Sequence, residues 1–345
     1  MRRIDVICVQ FFSQNHFLVE KKNCHRAVGN LSFVLSKPPG MNTTSTQNST
    51  LEEDCSGALK NAEIAILSAM NSVLALISVV GNALILAAIY KVQSQRTPSN
   101  AFVASMGAAD FSVGLLMNPL WVAKSVLNIW KSDNQLSTAI EVLTMQTIVA
   151  TTFSLCAVSV DRSIAVTKMR YIEIMSWKRI RIIILLIWTF SILFACFRLL
   201  ITDPLQLPKL WLAATVITVI APLTLISICY YHIFKAARFQ ICKISASEET
   251  KISPDQALMQ LKHRKAALTI GIVVGVFTIC WTPGLVISLI QFFIVNNCQK
   301  LMINGYWFWG ALAEFSNSAF NPFIYCMRSR DFRKAVKKVI GDCVY

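Results

Sequence analysis

Charged residues are scarce in this sequence. Only 15% of its 345 residues are Asp, Glu, Lys or Arg, while 55% are hydrophobic and come in long blocks rather than short periodic stripes. That pattern excludes a soluble globular domain and favours a membrane protein. A helix needs about 20 mainly apolar residues to span a bilayer. Seven such windows occur, at residues 64–90, 100–126, 136–160, 182–202, 210–234, 266–294 and 303–327.

Acidic residues are also few, 18 against 33 basic ones, which gives a formal charge of +15. Such an excess could favour a nucleic-acid partner, but its distribution argues against one. Basic residues concentrate in the connections after windows 1, 3 and 5 and in the segment after window 7, whereas the alternate connections hold few. The positive-inside rule therefore predicts an extracellular N-terminus and a cytoplasmic C-terminus, with no nucleic-acid partner.

The N-terminal segment, residues 1–61, is predicted to be an extracellular tail. Asn42 and Asn48 begin Asn-X-Ser/Thr triplets, which predict glycosylation, although such triplets also arise by chance in Ser/Thr-rich tails. Residues 1–40 lack a clear signal peptide. One interpretation is a functional start at Met41, with residues 1–40 a gene-model extension.

Polar residues inside the windows are candidate functional groups, because a polar side chain is costly in hydrocarbon unless it faces the bundle. One helical face of window 7 carries Glu314, Asn317, Ser318, Asn321 and Tyr325. Carboxylate, hydroxyl and amide oxygens suit a small hard cation. Sodium could therefore be held by Asp110, Thr151, Asn317 and Ser318, and a hydrogen-bonded network without an ion explains the same spacing.

Seven short motifs, each in order on its own window, resemble those of the rhodopsin-like (class A) G-protein-coupled receptors. They are "GNALIL" with Asn82, Asp110, "DRSIAV", Trp188, Pro222 with Tyr230, "FTICWTP" and "NPFIY". The resemblance covers about residues 62–345. It implies an all-α membrane protein: a seven-transmembrane helix bundle over 62–327, followed at 328–345 by a short amphipathic eighth helix and cytoplasmic tail.

The resemblance also implies a role for particular residues. Asp161 would hold Arg162 in the resting receptor and release it to a G protein on activation. Trp281 would be a pivot below the ligand, above Phe277 and beside the helix-kinking Pro283. Tyr230 and Tyr325 would move towards Arg162, helped by Asn321 and Pro322. Sodium would bind at Asp110, Thr151, Asn317, Ser318 and Asn321, and Cys343 would be a palmitoylation site.

Several features depart from the usual family pattern. Ser137 replaces the cysteine at the top of window 3, and no cysteine follows in the short connection after window 4, so the common bridge there is absent. Melanocortin receptors are similar in this and pair the positions of Cys55 and Cys298; two free thiols are the alternative. Adenosine receptors share some of these traits. Pro222 and Asn321 nevertheless exclude a melanocortin receptor, and His263 stands where some relatives carry an acidic clamp for Arg162.

The predicted ligand pocket contains Glu141, Thr144, Ile148, Trp281 and Glu314. Amine receptors carry Asp at the position of Thr144, so a cationic ligand would need Glu141 or Glu314 instead. A carboxylate as deep as Glu314 must be ion-paired, ligand-paired or protonated. The sequence leaves these alternatives open.

These features together predict a plasma-membrane receptor that is not an enzyme. It would convert binding of an amine, nucleoside, peptide or lipid into activation of a heterotrimeric G protein, with arrestin and a receptor kinase as further partners and sodium as an allosteric ion. A transporter or channel is disfavoured, because the sequence shows neither internal repeats nor broken half-helices. A non-signalling heptahelical scaffold is the other alternative.

Overall fold

A computed structural model of the protein describes residues 59–127, 135–167, 171–201, 206–246, 254–294 and 297–344. Within these ranges it describes all side chains except those of residues 172, 207, 208, 237–246, 254–264, 266, 297, 300, 301, 343 and 344. Asn42, Asn48 and Cys55 lie outside the described residues, and the side chains of His263 and Cys343 lie outside the described side chains. The predictions for these five residues therefore stay predictions.

Seven long helices and a shorter eighth make up the described chain, which contains no strand. They are α1 (Asn61–Lys91), α2 (Pro98–Val126), α3 (Gln135–Thr167), α4 (Trp177–Leu200), α5 (Leu207–Thr215, continued by Val216–Ile220 and Ala221–Ala246), α6 (Pro254–Phe293), α7 (Asn297–Arg328) and α8 (Arg330–Val344). A single helical turn, Tyr171–Ile174, lies between α3 and α4. The predicted all-α bundle with an eighth helix is confirmed.

Six of these helices, α1 to α6, are long and apolar enough to cross a membrane. α7 is not in that group although it is 32 residues long. Its inner face carries Glu314, Asn317, Ser318 and Asn321, which lower the mean hydropathy of the helix. α7 packs against both α1 and α6, so this polar face is covered by protein.

Local sequence explains where α2 and α4 begin. The Thr97 hydroxyl accepts a hydrogen bond from the Asn100 amide at 3.2 Å, and Pro98 occupies the first turn, where its missing N–H costs nothing. Ser176 accepts in the same way from the Arg179 amide at 3.5 Å. Such caps satisfy amides that have no partner within the helix.

Two membrane helices contain a π-helical segment immediately before a proline. In α2 the segment Val113–Met117 precedes Pro119, and the Asn118 amide donates to the Val113 carbonyl. In α5 the segment Val216–Ile220 precedes Pro222, and the Ala221 amide donates to the Val216 carbonyl. Proline lacks an N–H and its ring displaces the carbonyl one turn back. The wider turn therefore accommodates the proline without ending the helix.

The hydropathy windows fall furthest short of the helix ends in three helices. α3 continues to Thr167 rather than 160, α5 to Ala246 rather than 234, and α6 begins at Pro254 rather than 266. A hydropathy window stops where charged residues begin. A helix does not, because its backbone hydrogen bonds continue into water whatever the side chains are.

Small residues and polar groups join α1 to its neighbours, together with buried apolar side chains such as Leu67 and Ile85. A Cβ at Gly81 would lie 2.8 Å from the Pro322 ring, and one at Gly114 would lie 2.8 Å from Ser78. Asn82 donates to the Ser318 carbonyl at 3.0 Å, and Ser78 donates to the Asp110 carbonyl at 2.8 Å. Large side chains such as Leu76 and Leu185 point outward instead. This arrangement suits a lipid environment, in which close backbone packing and interhelical hydrogen bonds hold helices together.

Candidate functional site

A cavity of about 390 Å³ lies between α2, α3, α4, α5, α6 and α7. All five residues of the predicted pocket line it: Glu141, Thr144, Ile148, Trp281 and Glu314. Much of the remaining wall is aromatic, from Trp121, Phe194, Trp211, Phe292, Trp307 and Phe308. A cavity of this size with an aromatic wall and few charges is typical of a small-molecule site. That a ligand binds here remains a prediction.

The lower part of the cavity is formed by Trp281 of α6. Its indole stacks on the ring of Phe277, with 5.2 Å between ring centroids and 28° between planes. Phe277 is fully buried in the main hydrophobic core. Pro283 lies two residues beyond Trp281, inside α6. The Trp281 ring thus lines the cavity and is in direct contact with the main hydrophobic core.

Glu314 of α7 is a carboxylate on the cavity wall with no hydrogen-bond or ion-pair partner among the described residues. Its side chain lies against Gly284 of α6, where a Cβ would overlap with the carboxylate oxygen. Gly310 approaches the Gly284 backbone as well. The close contact between α6 and α7 therefore depends on glycine, which leaves room for the carboxylate.

Glu141 of α3 is already paired. Its Oε2 accepts from Arg198 Nε of α4 at 2.6 Å, and the side chains of Arg198 and Glu141 are only 5% and 15% exposed. Arg198 also donates to the Ile201 carbonyl at 3.0 Å, at the end of α4. The sequence assigned Arg198 no role in the pocket, but in the structure it is a buried partner for a pocket carboxylate.

Lys124, near the end of α2, is a second charge to which the sequence assigned no role in the pocket. It lines the cavity, and its ammonium lies 5.0 Å from the centroid of the Trp121 ring. It makes no ion pair among the described residues. No helical periodicity in one segment could have linked Lys124, Glu141 and Arg198, because they come from three different helices.

Side chains join the last part of α6 to the first part of α7. Trp307 donates to Gln291 at 2.7 Å, and Gln291 donates in turn to Asn304 at 2.8 Å. Cys298, in the first turn of α7, is disulfide-bonded. Its partner is not among the described residues, so the pairing with Cys55 stays a prediction.

A buried polar cluster lies below the cavity around Asp110 of α2. Ser318 donates to Oδ1 at 2.8 Å and Asn321 to Oδ2 at 2.7 Å, both from α7. Other buried oxygens have no partner: Thr151 Oγ1, Asn317 Oδ1, Asn321 Oδ1, Asn82 Oδ1 and Tyr325 OH. Buried acceptors are rarely left unsatisfied, so these atoms fit water or a small cation. Among the described residues no group of three or more His, Cys, Asp or Glu could hold another metal.

The C-terminal part of α3 holds the predicted ion pair. Arg162 donates to Asp161 Oδ2 from Nε at 3.0 Å and from a terminal nitrogen at 2.5 Å. Two further donors that the sequence did not reveal contact the same carboxylate: the Ser99 hydroxyl of α2 binds Oδ2, and the Tyr171 hydroxyl binds Oδ1 at 2.6 Å. Burial and the charge of Asp161 raise the pKa of Tyr171, so its hydroxyl stays protonated and can donate.

Tyr230 and Tyr325 have their hydrogen-bond and ring partners on neighbouring helices. The Tyr230 hydroxyl donates to the Ala267 carbonyl of α6 at 3.1 Å. The Tyr325 ring stacks on Phe332 of α8, with 5.8 Å between centroids. Pro322 lies against Gly81 of α1. Among the described residues, neither tyrosine is hydrogen-bonded to Arg162.

Comparison with known proteins agrees with this geometry. The family model for the 7 transmembrane receptor (rhodopsin family) matches residues 81–325. Trace amine-associated receptor 4 of Rattus norvegicus is 26% identical over 292 residues, which is 78% of this chain and 83% of that receptor. Trace amine-associated receptor 9 of the same species is 27% identical, over 81% of this chain and 88% of that receptor. The 5-hydroxytryptamine receptor 1B of Mus musculus is 26% identical, over 88% and 96% respectively.

Proposed function

The chain belongs to the rhodopsin family of seven-transmembrane receptors, and on that premise we propose that it binds an extracellular amine through Glu314 and activates a heterotrimeric G protein. Family membership makes the protein a multi-pass membrane receptor rather than an enzyme. The plasma membrane as its location, and an N-terminus outside the cell, are part of the proposal. They rest on the distribution of basic residues.

The observation that carries the proposal is the unpaired carboxylate of Glu314 on the cavity wall. An ionised carboxylate buried without a partner is strongly unfavourable. A cationic ligand would relieve that cost, and binding would gain a charge-assisted hydrogen bond. Glu141 is a poorer candidate because Arg198 already neutralises it at 2.6 Å. Thr144, at the position of the amine-receptor aspartate, carries no charge.

The surroundings of the cavity favour the same class of ligand. Tryptophan faces attract organic cations, and Trp121, Trp211, Trp281 and Trp307 all line the wall. Relatives named for trace amines and for 5-hydroxytryptamine further support an amine. These relatives support the ligand class only.

Signalling would follow from differential affinity of the ligand for two arrangements of the bundle. A ligand on Glu314 lies next to α6 at Gly284, one turn above Trp281 and its contact with Phe277. A shift of α6 against α7 would reach the cytoplasmic end through the Tyr230–Ala267 contact. Release of Arg162 from Asp161 would then expose the G-protein site, and arrestin and a receptor kinase would use the same face.

The test is a signalling panel of aromatic and aliphatic amines on the parent receptor and on Glu314→Gln, read by cAMP and by calcium. We expect the substitution to lower amine potency roughly ten- to a hundredfold at equal surface expression, the worth of a charged hydrogen bond. Glu63→Gln, at the start of α1 outside the cavity, is the matched control. An unchanged amine response in Glu314→Gln would disprove the counter-ion role.

We further propose that the cluster around Asp110 binds sodium. The two donors to Asp110 and the unpartnered oxygens of Thr151, Asn317 and Asn321 support this proposal over a network without an ion. These oxygens are hard ligands of the kind that a small cation prefers. A bound sodium ion would supply positive charge next to Asp110, and the side chains would satisfy its coordination.

A further inference from the structure

We propose that the ligand carries an anionic group as well as an ammonium group, and that the anionic group pairs with Lys124 near the extracellular end of the cavity. The ligand is then an elongated zwitterion. This inference rests on the proposed cation site at Glu314 and names the other half of the molecule that would bind there.

The charges on the cavity wall do not balance locally. Among the described side chains that line the cavity, the charged ones are Lys124, Glu141 and Glu314. Glu141 is bonded to Arg198, and it is also the acid that interacts electrostatically with Lys124. One carboxylate therefore serves two cations at that end, which leaves one positive charge in excess. At the other end Glu314 leaves one negative charge in excess.

Lys124 is placed on the wall by a fixed aromatic surface. Its ammonium lies 5.0 Å from the Trp121 ring centroid. Trp121 is buried and makes edge-to-face contacts with Phe308 and Phe315 of α7, at 5.2 and 5.7 Å between centroids. Phe315 is not among the residues that line the cavity, whereas Trp121 and Phe308 line it beside Lys124. Trp281 and Trp307 line the same cavity together with Glu314. An apolar middle portion of the ligand would therefore be buried against these rings, between two charged ends.

The depth of each residue sets the length of the ligand. Ser318 and Asp110 lie at one depth, since their side chains are 2.8 Å apart. Glu314 is one turn above Ser318, whereas Lys124 is fourteen residues above Asp110. At 1.5 Å per residue, Glu314 lies about 6 Å and Lys124 about 21 Å above that depth, a difference of about 15 Å. A lysine side chain folded towards Glu314 shortens the distance between the two charged groups to the order of 10 Å. An α-amino acid, with both charges on one carbon, cannot bridge that separation.

The probes are ω-aminooctanoic acid and ω-aminododecanoic acid, each compared with its methyl ester, which keeps the amine and the length but removes the anion. Potency is read by cAMP and calcium, and binding by the unfolding temperature of the purified receptor. We expect at least one free acid to be about tenfold or more potent than its ester, the worth of one charged contact. The ω-aminoalkyl phosphate of the same length shows which anion is preferred, and an advantage of either anion over the ester supports the inference.

Substitutions at Lys124 test the assignment of the anion site. Lys124→Ala is expected to make acid and ester equal, whereas Lys209→Ala, an exposed lysine at the start of α5, keeps the difference. Lys124→Glu should reverse the preference, so that α,ω-diamines become more potent than ω-amino acids of the same length. A reversed preference cannot result from loss of folded receptor.

The outcomes separate this inference from the proposed function. If acid and ester are equally potent in the parent and both depend on Glu314, the zwitterion is disproved while the amine site stands. If neither series signals or stabilises the receptor, the elongated zwitterion is disproved, and the amine site is decided by the amine panel on Glu314→Gln. If the acid is preferred but Lys124→Ala and Lys124→Glu retain that preference, Lys124 is not the anion site.

Discussion

Three carboxylates of the helix bundle, which lie at different depths, differ in their hydrogen-bond and ion-pair partners. Asp161 accepts from Arg162, Ser99 and Tyr171. Glu141 is bonded to Arg198, and Glu314 has no hydrogen-bond or ion-pair partner among the described residues. Residue type alone would assign the same chemistry to all three. The partners distinguish three cases. Asp161 belongs to the predicted activation switch with Arg162, Glu141 belongs to a structural ion pair, and Glu314 has no counter-ion among the described residues.

The hydrogen bond from Tyr171 to Asp161 yields a testable prediction. Tyr171→Phe removes the donor to Asp161 Oδ1 and leaves that buried oxygen short of a partner, a cost of about 1–3 kcal/mol. If activation separates Arg162 from Asp161, the cost falls on the resting state, and basal signalling should rise severalfold. Basal cAMP and calcium at matched surface expression provide the measurement. Tyr231→Phe, at an exposed tyrosine of α5, is the control and should leave basal signalling unchanged. If Tyr171→Phe and Tyr231→Phe have equal basal signalling, the role of Tyr171 is contradicted.

At the scale of elements, the seam between α6 and α7 depends on glycine. Gly284 lies where any Cβ would overlap with the Glu314 carboxylate, and Gly310 approaches the same stretch of backbone. A carboxylate thus fits between two closely packed helices because one of them has no side chain there. The position of the Glu314 side chain therefore depends on α6 as well as on α7.

A matched pair of glycine substitutions in α6 tests this seam. Gly284→Ala should displace the carboxylate and lower amine potency about tenfold or more, because a misplaced charged contact loses much of its worth. Gly275→Ala has open space around it, so potency should be unchanged, with stability equal or slightly higher from better helix propensity. Dose-response curves with the same amine panel give the answer. Equal potency in both variants would show that Gly284 does not position Glu314.

Periodicity in window 7 and the family resemblance explain what the sequence could predict. Periodicity placed Ser318 and Asn321 on one helical face, the resemblance added Asp110 and the pocket, and all five predicted pocket residues line one cavity. Neither could find contacts between distant segments, such as Arg198 with Glu141 or Tyr171 with Asp161. Those depend on the relative rotation of the helices, which a window along one helix does not contain. Hydropathy likewise missed the charged extensions of α3, α5 and α6.

For the whole molecule, an ion at Asp110 would couple α2, α3 and α7 into one unit, and its binding should appear as global stability. An ion that binds only the folded state adds about 1.4 kcal/mol at ten times its dissociation constant. We therefore expect the purified receptor to unfold at a higher temperature in sodium chloride than in choline chloride at equal ionic strength. Asp110→Asn should abolish that difference.

Two results would contradict the sodium site. The parent could unfold at one temperature in both salts, or Asp110→Asn could keep the full difference between them. Thr224→Ala, at an exposed threonine of α5, is the control for a polar substitution elsewhere in the bundle, and it should respond to sodium as the parent does.

The π-helical segment of α2 determines how the rest of the helix is rotated about its axis. Val113–Met117 holds one more residue than a regular turn would, and each residue in a helix accounts for about 100° of rotation. Everything beyond the segment towards the end of α2, including Trp121 and Lys124, owes its direction to that extra residue. Deleting one residue there would rotate the charged end of α2 off the cavity wall without changing any residue that lines it. If Lys124 binds the proposed ligand, the length of this turn contributes to ligand selectivity from outside the cavity.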